Sequence, residues 1–463
     1  MAMFSRDALD DLRAWKARAG RKPLVIRGAR QVGKSVLVRL FGQECFQDVA
    51  EINFERDPDL ASLFVSNDPA KIVALLEMRL DRAIRPGSTL LFLDEIQAAP
   101  AVFSTLRYFY EQMPELHVVA AGSLLDLVLG EVGHAMPVGR IEYLHLGPLT
   151  FDEFLRATGK ERLAAFLGAW TLEAEIPEAI HRKALEEFRA FLVVGGMPEV
   201  VAAYADGRTW SEVDAAKHSI LATYRDDFGK YGHRANHARL LRVFSRLPAM
   251  VGARFKYANV DREERSGDLA KALDLLCRAR VAYRVTHTSA NGVPLAAQTR
   301  ESVFKVLFLD VGLQCAALGL RLLDVEQARD VLLVNAGAVC EQAVGQHLLH
   351  SLPRYREPEV HFWTREKANA AAEVDYVFAE GPLVMPVEVK AGKTGTLKSL
   401  HVFMGEKGLP LAVRLNSDGP SLLHAAGASP DRSARGYRMV SLPVYLAGQV
   451  RRVIASEVER GKA

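Results

Sequence analysis

Leu24-Val25-Ile26-Arg27-Gly28-Ala29-Arg30-Gln31-Val32-Gly33-Lys34-Ser35 runs straight into Val36-Leu37-Val38-Arg39-Leu40. A short apolar strand, a loop with a glycine near each end and a helix-forming segment follow one another without a break. Residues 28–35 match GxxxxGK[ST] at every fixed position. Glycines let the main chain curl until its N–H groups converge on phosphate oxygens, and the positive end of the following helix aims at the same point. Lys34 would reach the β and γ phosphates as a point charge, and the Ser35 hydroxyl would hold Mg²⁺. The expected ligand of Gly28, Ala29, Arg30, Gln31, Val32, Gly33, Lys34 and Ser35 is therefore ATP with Mg²⁺.

About sixty residues on, Leu90-Leu91-Phe92-Leu93 ends in Asp94-Glu95, an apolar strand delivering two carboxylates. Asp94 is expected in the Mg²⁺ shell, and Glu95 would polarise the attacking water as general base. The next apolar run, LHVVAAGS at 116–123, ends in Ser123, read either as a polar sensor near the γ-phosphate or as a serine capping a buried strand. Arg140, after Gly139, has two readings as well. It would supply positive charge to the transferring phosphate of a neighbouring subunit, which implies a homo-oligomer, or it is a surface arginine where a strand begins.

The runs Leu24–Arg27, Ala50–Phe54, Thr89–Leu93 and Leu116–Ala121 are nearly continuous in apolar residues and alternate with helical stretches. That alternation predicts an α/β fold, a P-loop NTPase parallel sheet covered by helices on both faces. It spans residues 1–150 and includes a leading amphipathic helix at 5–19 with Leu9, Leu12 and Trp15 on one face. Residues 151–235 read as a helical section interrupted by a turn at Gly195-Gly196-Met197-Pro198. Residues 236–320 read as winged-helix-like: helices, then Val281–Thr286, a turn at Asn291-Gly292, and a strand at Val303–Leu309. From 321 to 463 the α/β pattern returns, with a helix at 336–350 and strands at 373–379 and 384–390. The stretch from Pro430 is basic and loosely patterned and is expected to be a peripheral helix or tail.

At 463 residues the chain is too long for one ordinary core. Hydrophobic residues at 49 % and charged residues at 25 % fit a soluble globular protein. The net charge of +3 neither demands nor excludes a nucleic-acid partner. Cys45, Cys277, Cys315 and Cys340 form no CxxC pair and are expected to be reduced, mostly buried thiols. The N-terminal residues carry charges every few positions, unlike a signal peptide. The most apolar window, 116–130, is interrupted by His117 and Asp126 and falls short of a membrane span. The expectation is a cytoplasmic protein with no membrane partner.

The C-terminal region holds a second array. Glu341 lies on the helix GAVCEQAVGQHLL, Glu373-Val374-Asp375 begins one strand, and Glu388-Val389-Lys390 ends the next. Residues two apart on a strand share a face, so Glu388 and Lys390 point the same way. The pattern fits D…ExK of nuclease folds: Asp375, Glu388 and Glu341 binding Mg²⁺, Lys390 orienting or deprotonating water, and DNA as substrate. The same residues also fit a half-exposed strand, or a nuclease-like fold kept as a binding module. In the winged-helix section, Arg254, Lys256, Arg262, Arg265 and Lys271 would contact DNA phosphates. Asp261, Glu263 and Glu264 interleave with them, as on a solvated face.

RKPLVIRGARQVGKS (21–35), TLLFLDEIQ (89–97), AGSLL (121–125) and GRIEYLHLGPLTFDEFL (139–155) together resemble the prokaryotic AAA-type ATPases that carry a C-terminal domain of unknown function. GGMPEVV (195–201), KVLFLDVGL (305–313) and VEVKAG (387–392) extend the resemblance over nearly the whole chain. It implies an AAA-type core, a winged-helix section and a C-terminal domain similar to restriction-endonuclease folds. Two functions are open at this stage: a Mg²⁺-dependent ATPase coupled to DNA handling, and a nucleotide-dependent switch that binds a protein partner. A small-molecule kinase fits less well, because no acceptor pocket follows the loop.

Overall fold

The computed structural model describes residues 4–123, 125, 139–230, 234–320, 336–365, 371–390, 397–427 and 436–459. The chain divides into two units. The first comprises Met1–Pro148 with Arg278–Val281 and Pro353–Pro358; the second comprises Leu149–Cys277, Ala282–Leu352 and Glu359–Ala463.

In the first unit the apolar runs become five strands, β1 (Leu24–Arg27), β2 (Asp48–Asn53), β3 (Thr89–Asp94), β4 (His117–Gly122) and β5 (Glu142–His145). They are all parallel, in the order β2-β3-β4-β1-β5. β3 and β4 are buried along their whole length, which explains their unbroken apolar character. The helices Lys34–Cys45, Pro69–Leu80 and Pro100–Gln112 supply the crossovers. Pro69 and Pro100 sit at helix starts, where a missing N–H costs nothing. Ile52, Phe54, Phe64, Leu76, Leu91, Leu93, Phe103 and Phe109 belong to one core. The leading helix runs Ala8–Ala17 and buries Leu9, Leu12 and Trp15 as its periodicity predicts. Beyond β5, the His145 N–H donates to the carbonyl of Arg354, 2.8 Å away, so a segment two hundred residues downstream covers the outer strand. The ends of β1, β3 and β4 thus share one edge, where parallel sheets bind ligands.

The second unit opens with the helices Phe151–Ala157, Glu161–Ala169, Glu178–Val194, Pro198–Ala205 and Trp210–Asp227. The turn between the third and fourth requires glycine. Gly195 has φ +79°, and a Cβ there would lie 2.1 Å from Asp310 Oδ1. Buried Asp310 accepts from the N–H groups of Gly196 (2.7 Å) and Leu313 (3.0 Å).

Eight further strands form one mixed sheet, ordered β12-β13-β11-β10-β9-β8-β6-β7. They are β6 (Ala282–Thr288), β7 (Thr299–Phe308), β8 (Val360–Arg365), β9 (Ala372–Glu380), β10 (Leu383–Val389), β11 (Leu411–Asn416), β12 (Ser421–Ala426) and β13 (Gly436–Pro443). The hairpin expected as the wing of a separate section is therefore one end of the sheet that also contains the C-terminal strands, with β6 pairing in parallel with β8. The expected peripheral tail is corrected in part. Residues 430–435 lie outside the described residues, but β13 is a mostly buried strand between β11 and β12, and the helix Val450–Glu459 follows. Arg438 breaks the apolar run of β13 and obscured it in the sequence. All four cysteines are free thiols, two of them, Cys315 and Cys340, buried. No helix among the described residues is long and apolar enough to cross a membrane.

Candidate functional site

β1 ends at Arg27 and the chain turns through residues 28–33 into the helix Lys34–Cys45. Close approach dictates the first glycine: a Cβ at Gly28 would lie 2.2 Å from the carbonyl oxygen of Leu146. Conformation dictates the second, since Gly33 has φ +94°. Gln31 also lies at positive φ, +63°, and its buried Oε1 lacks a hydrogen-bond partner. Arg6, from the N-terminal segment, braces the loop from behind. It donates from Nη1 to Val32 O (3.1 Å) and from Nη2 to Gly147 O (2.9 Å).

Lys34 is buried, and its ammonium donates to Gly28 O (3.1 Å) and Ala29 O (2.8 Å) of its own loop. Burial pushes its pKa down to about 8; Glu95 and Asp94 oppose the fall and Arg30 adds to it. The Ser35 hydroxyl donates to Asp94 Oδ1 at 2.9 Å, and Asn53 Nδ2 donates to Asp94 Oδ2 at 3.2 Å. Burial pushes the Asp94 carboxyl up to about 6, against the pull of the Ser35 hydroxyl. A buried cation held by carbonyls and a buried anion that resists ionising are what a magnesium–triphosphate fits. It offers phosphate oxygens to the first and a divalent charge to the second. Lys34 and the loop amides would hold the phosphates, Ser35 and Asp94 the metal.

Glu95 follows at φ +51° and accepts a hydrogen bond from Gln97 Nε2. β4 lies between β1 and β3, so Ser123 reaches the same edge, between the loop and the acidic pair. Its hydroxyl is buried without a hydrogen-bond partner. Arg30 pairs with Glu55 at 3.1 Å. Arg140 is elsewhere. It precedes β5, which starts level with the start of β1, so it lies at the opposite edge of the sheet, paired with Glu111 at 2.8 Å and 44 % exposed. It therefore has no part in its own subunit's nucleotide site. The sequence reading missed Arg6, Asn53 and Gln97, ordinary polar residues whose roles depend on contacts between segments.

The C-terminal array is gathered as expected, with one addition. Val389 N–H donates to Asp375 Oδ2 at 2.8 Å, tying β9 to β10, and Lys390 Nζ pairs with Glu388 Oε1 at 2.6 Å. Lys305, on β7 and almost fully buried, reaches Glu373 Oε1 (2.6 Å), Glu341 Oε2 (3.6 Å) and Asp375 Oδ1 (3.7 Å). Burial works against its charge, but the three carboxylates outweigh burial and hold its pKa above the usual lysine value. Burial and Asp375 push Glu341 up to about 8, and Glu388 up to about 7 against the pull of Lys390. Among the described residues no group of three or more His, Cys, Asp or Glu side chains is placed to hold a metal ion. Lys305 thus lies among the carboxylates expected as a Mg²⁺ shell, 3.6 Å from Glu341 and 3.7 Å from Asp375. The signal was a single charge inside VFKVLFL.

Between residues 236 and 320 several basic side chains pair with acids, Lys271 among those expected to contact DNA. Arg239 pairs with Glu264 (2.9 Å) and Asp268 (3.3 Å), Arg242 with Asp261 (2.6 Å), and Lys271 with Asp268 (3.7 Å).

The five-stranded parallel sheet, the phosphate loop and the Ser35–Asp94 pair define a nucleotide-binding P-loop domain of the AAA type. Residues 20–155 match the family described as AAA domain. Residues 185–324 match a domain of unknown function, DUF8612, and residues 336–418 another, DUF4143. No curated protein matches in sequence. Among solved structures, the chain is similar to the ORC2 protein of Aeropyrum pernix in its ADPNP–ADP complexes, at 13 % identity and TM-score 0.35, covering 70 % of this chain and 96 % of that one. It is similar to the ORC1 protein of the same organism in complex with DNA, at 12 % identity and TM-score 0.29, covering 69 % and 94 %. The RuvB Holliday junction branch migration motor of Thermotoga maritima follows at 16 % identity and TM-score 0.29, covering 61 % and 90 %.

Proposed function

We propose that the first unit binds ATP with Mg²⁺ and hydrolyses it, and that turnover drives a conformational change coupled to DNA handling by the rest of a cytoplasmic protein. The observation that carries the reading is the chain Asn53–Asp94–Ser35 beside a buried Lys34. In this reading the loop amides and Lys34 hold the phosphates, Ser35 and Asp94 hold the metal, and Glu95 takes a proton from the attacking water. Ser123 would contact the terminal phosphate. Arg140, far from its own nucleotide site, would act only across a subunit interface of a homo-oligomer. The test is ATP turnover with and without DNA for the wild type, Lys34→Ala and Glu95→Gln. Turnover that Glu95→Gln leaves unchanged would remove Glu95 as base, and turnover indifferent to DNA would uncouple the two halves.

A second reading is a nucleotide-dependent switch that binds a protein partner. Lys305 favours it, because its ammonium would compete with a metal ion for the oxygens of Glu341, Glu373 and Asp375, which suits a module kept for binding. Cleavage of any DNA by the wild type with Mg²⁺ or Mn²⁺, lost in Asp375→Asn, would restore the nuclease reading. Phosphate contacts by Arg254, Lys256, Arg262, Arg265 and Lys271 would show as a steep loss of DNA affinity with salt; the pairing of Lys271 with Asp268 favours a flat response from that residue.

A further inference from the structure

Between the acidic pair and the next helix the chain makes one tight turn, Ile96–Ala98, entered through Glu95 in the left-handed conformation. This turn brings Gln97 back against Glu95. A carboxylate only accepts, so it must be Gln97 Nε2 that donates to Glu95 Oε2, and the amide oxygen then faces away. What it faces is the end of β4. A Cβ at Gly122 would lie 2.4 Å from Gln97 Oε1, so the amide is seated where only a glycine leaves room. Gln97 is 8 % exposed and its Oε1 has no hydrogen-bond partner; the next residue after Gly122, Ser123, has a buried hydroxyl in the same condition. Buried polar groups without partners are uncommon and concentrate where a ligand or a reaction completes them.

We propose that Gln97 is a positioning residue for nucleotide hydrolysis. Its amide fixes one oxygen of Glu95, leaving the other to take the proton of the attacking water, and Gly122 is required because a side chain there would displace the amide. Glutamine suits the position chemically: leucine could not donate, asparagine would be a methylene too short, and an ionised glutamate would repel Glu95. The inference rests on the ATPase reading with Glu95 as base.

The test compares steady-state turnover and nucleotide affinity for Gln97→Leu, Gly122→Ala, the double variant, Glu95→Gln, and Glu95→Gln with Gln97→Leu. Gln97→Leu should lower kcat by about 10- to 100-fold, the cost of a misplaced catalytic group. ATP affinity should stay within about twofold. Gly122→Ala should act in the same direction, and because the alanine Cβ would also lie 2.9 Å from Leu125 Cγ, the double variant should be at least as impaired as Gln97→Leu alone. In the Glu95→Gln background, Gln97→Leu should change nothing further. Gln97→Glu gives a readout that a packing role would not: its turnover should recover relative to Gln97→Leu as pH falls from 8 to 6, because the introduced carboxyl can donate again once protonated. Wild-type kcat in Gln97→Leu, a further loss in the Glu95→Gln background, or a flat ratio against pH would each overturn the proposal. Wild-type protein that binds ATP but shows no turnover above Glu95→Gln would overturn the ATPase reading itself. Should Gln97→Leu not fold, Gln97→Glu measured against the wild type over the same pH range decides the matter: a ratio to wild type that fails to rise as pH falls overturns the proposal.

Discussion

Asp94→Asn tests the electrostatics of the nucleotide site without any nucleotide present. The wild-type carboxyl is 3 % exposed and pushed by burial from 3.8 to about 6. A folded state that binds its proton more tightly than the unfolded chain loses stability as pH rises through that interval. The penalty is absent below pH about 4 and complete above pH about 6, where two pKa units amount to about 3 kcal/mol. Asparagine cannot ionise, so it escapes the penalty. It still accepts from Ser35, but its own amide would face the amide of Asn53, whose Oδ1 is occupied by the N–H groups of Glu55 and Arg56. That lost hydrogen bond costs about 1.5 kcal/mol at every pH. The stability of Asp94→Asn relative to wild type should therefore rise by about 1.5 kcal/mol between pH 5 and pH 8, roughly 3–6 °C in the melting temperature of a unit this size. Scanning fluorimetry of the nucleotide-free proteins across that range measures it. A difference that stays flat with pH, or falls, refutes the assignment of Asp94 as a carboxylate held against its ionisation. With Mg²⁺ and ATP the ranking should reverse, because only the wild type keeps the metal ligand and gains stability by mass action.

Lys34→Ala is expected to lose nucleotide binding altogether, whereas Glu95→Gln should bind with near wild-type affinity and hardly hydrolyse; calorimetry and phosphate release separate the two. Nucleotide affinity should fall at alkaline pH. Lys34 titrates at about 8 in the free protein, so above that pH binding must draw in a proton, and log K should drop by up to about one unit per pH unit. Constant affinity from pH 7.5 to 9.5 would contradict the burial of that ammonium. Gly28→Ala should abolish binding through the clash with Leu146 O while leaving the helix content intact, as read by circular dichroism. Lys305→Met should destabilise the second unit by about 3–5 kcal/mol, because Glu341, Glu373 and Asp375 then lose their buried counter-charge. Urea denaturation reads this, and an unchanged midpoint would show that the cluster needs no lysine.

The sequence made the nucleotide site legible where its chemistry is local. Residues 28–35 lie consecutively along one loop, and Asp94-Glu95 ends a strand whose apolar run is unmistakable. Residues brought in from other segments were not legible. Asn53 looks like any polar strand end until β2 lies beside β3 and places it against Asp94. Arg6 looks like a helix-flanking charge until it meets the carbonyls of Val32 and Gly147. Lys305 is a clear anomaly in an apolar strand, yet nothing in its neighbours says that carboxylates up to seventy residues away surround it. In the second sheet β13 escaped because Arg438 interrupts a strand whose other side chains are nearly all buried.

The pairing of Val285, Thr286 and His287 with Val360, His361 and Phe362 has a practical consequence for anyone dissecting the molecule. A chain cut near residue 320 would keep the hairpin but strip its partner, leaving a row of bare amides and carbonyls on β6 ready to recruit foreign strands. The same cut would remove Arg354 and uncover the outer strand of the ATPase sheet. Fragments ending there should aggregate, and their failure to work alone would say nothing against the activity of the whole.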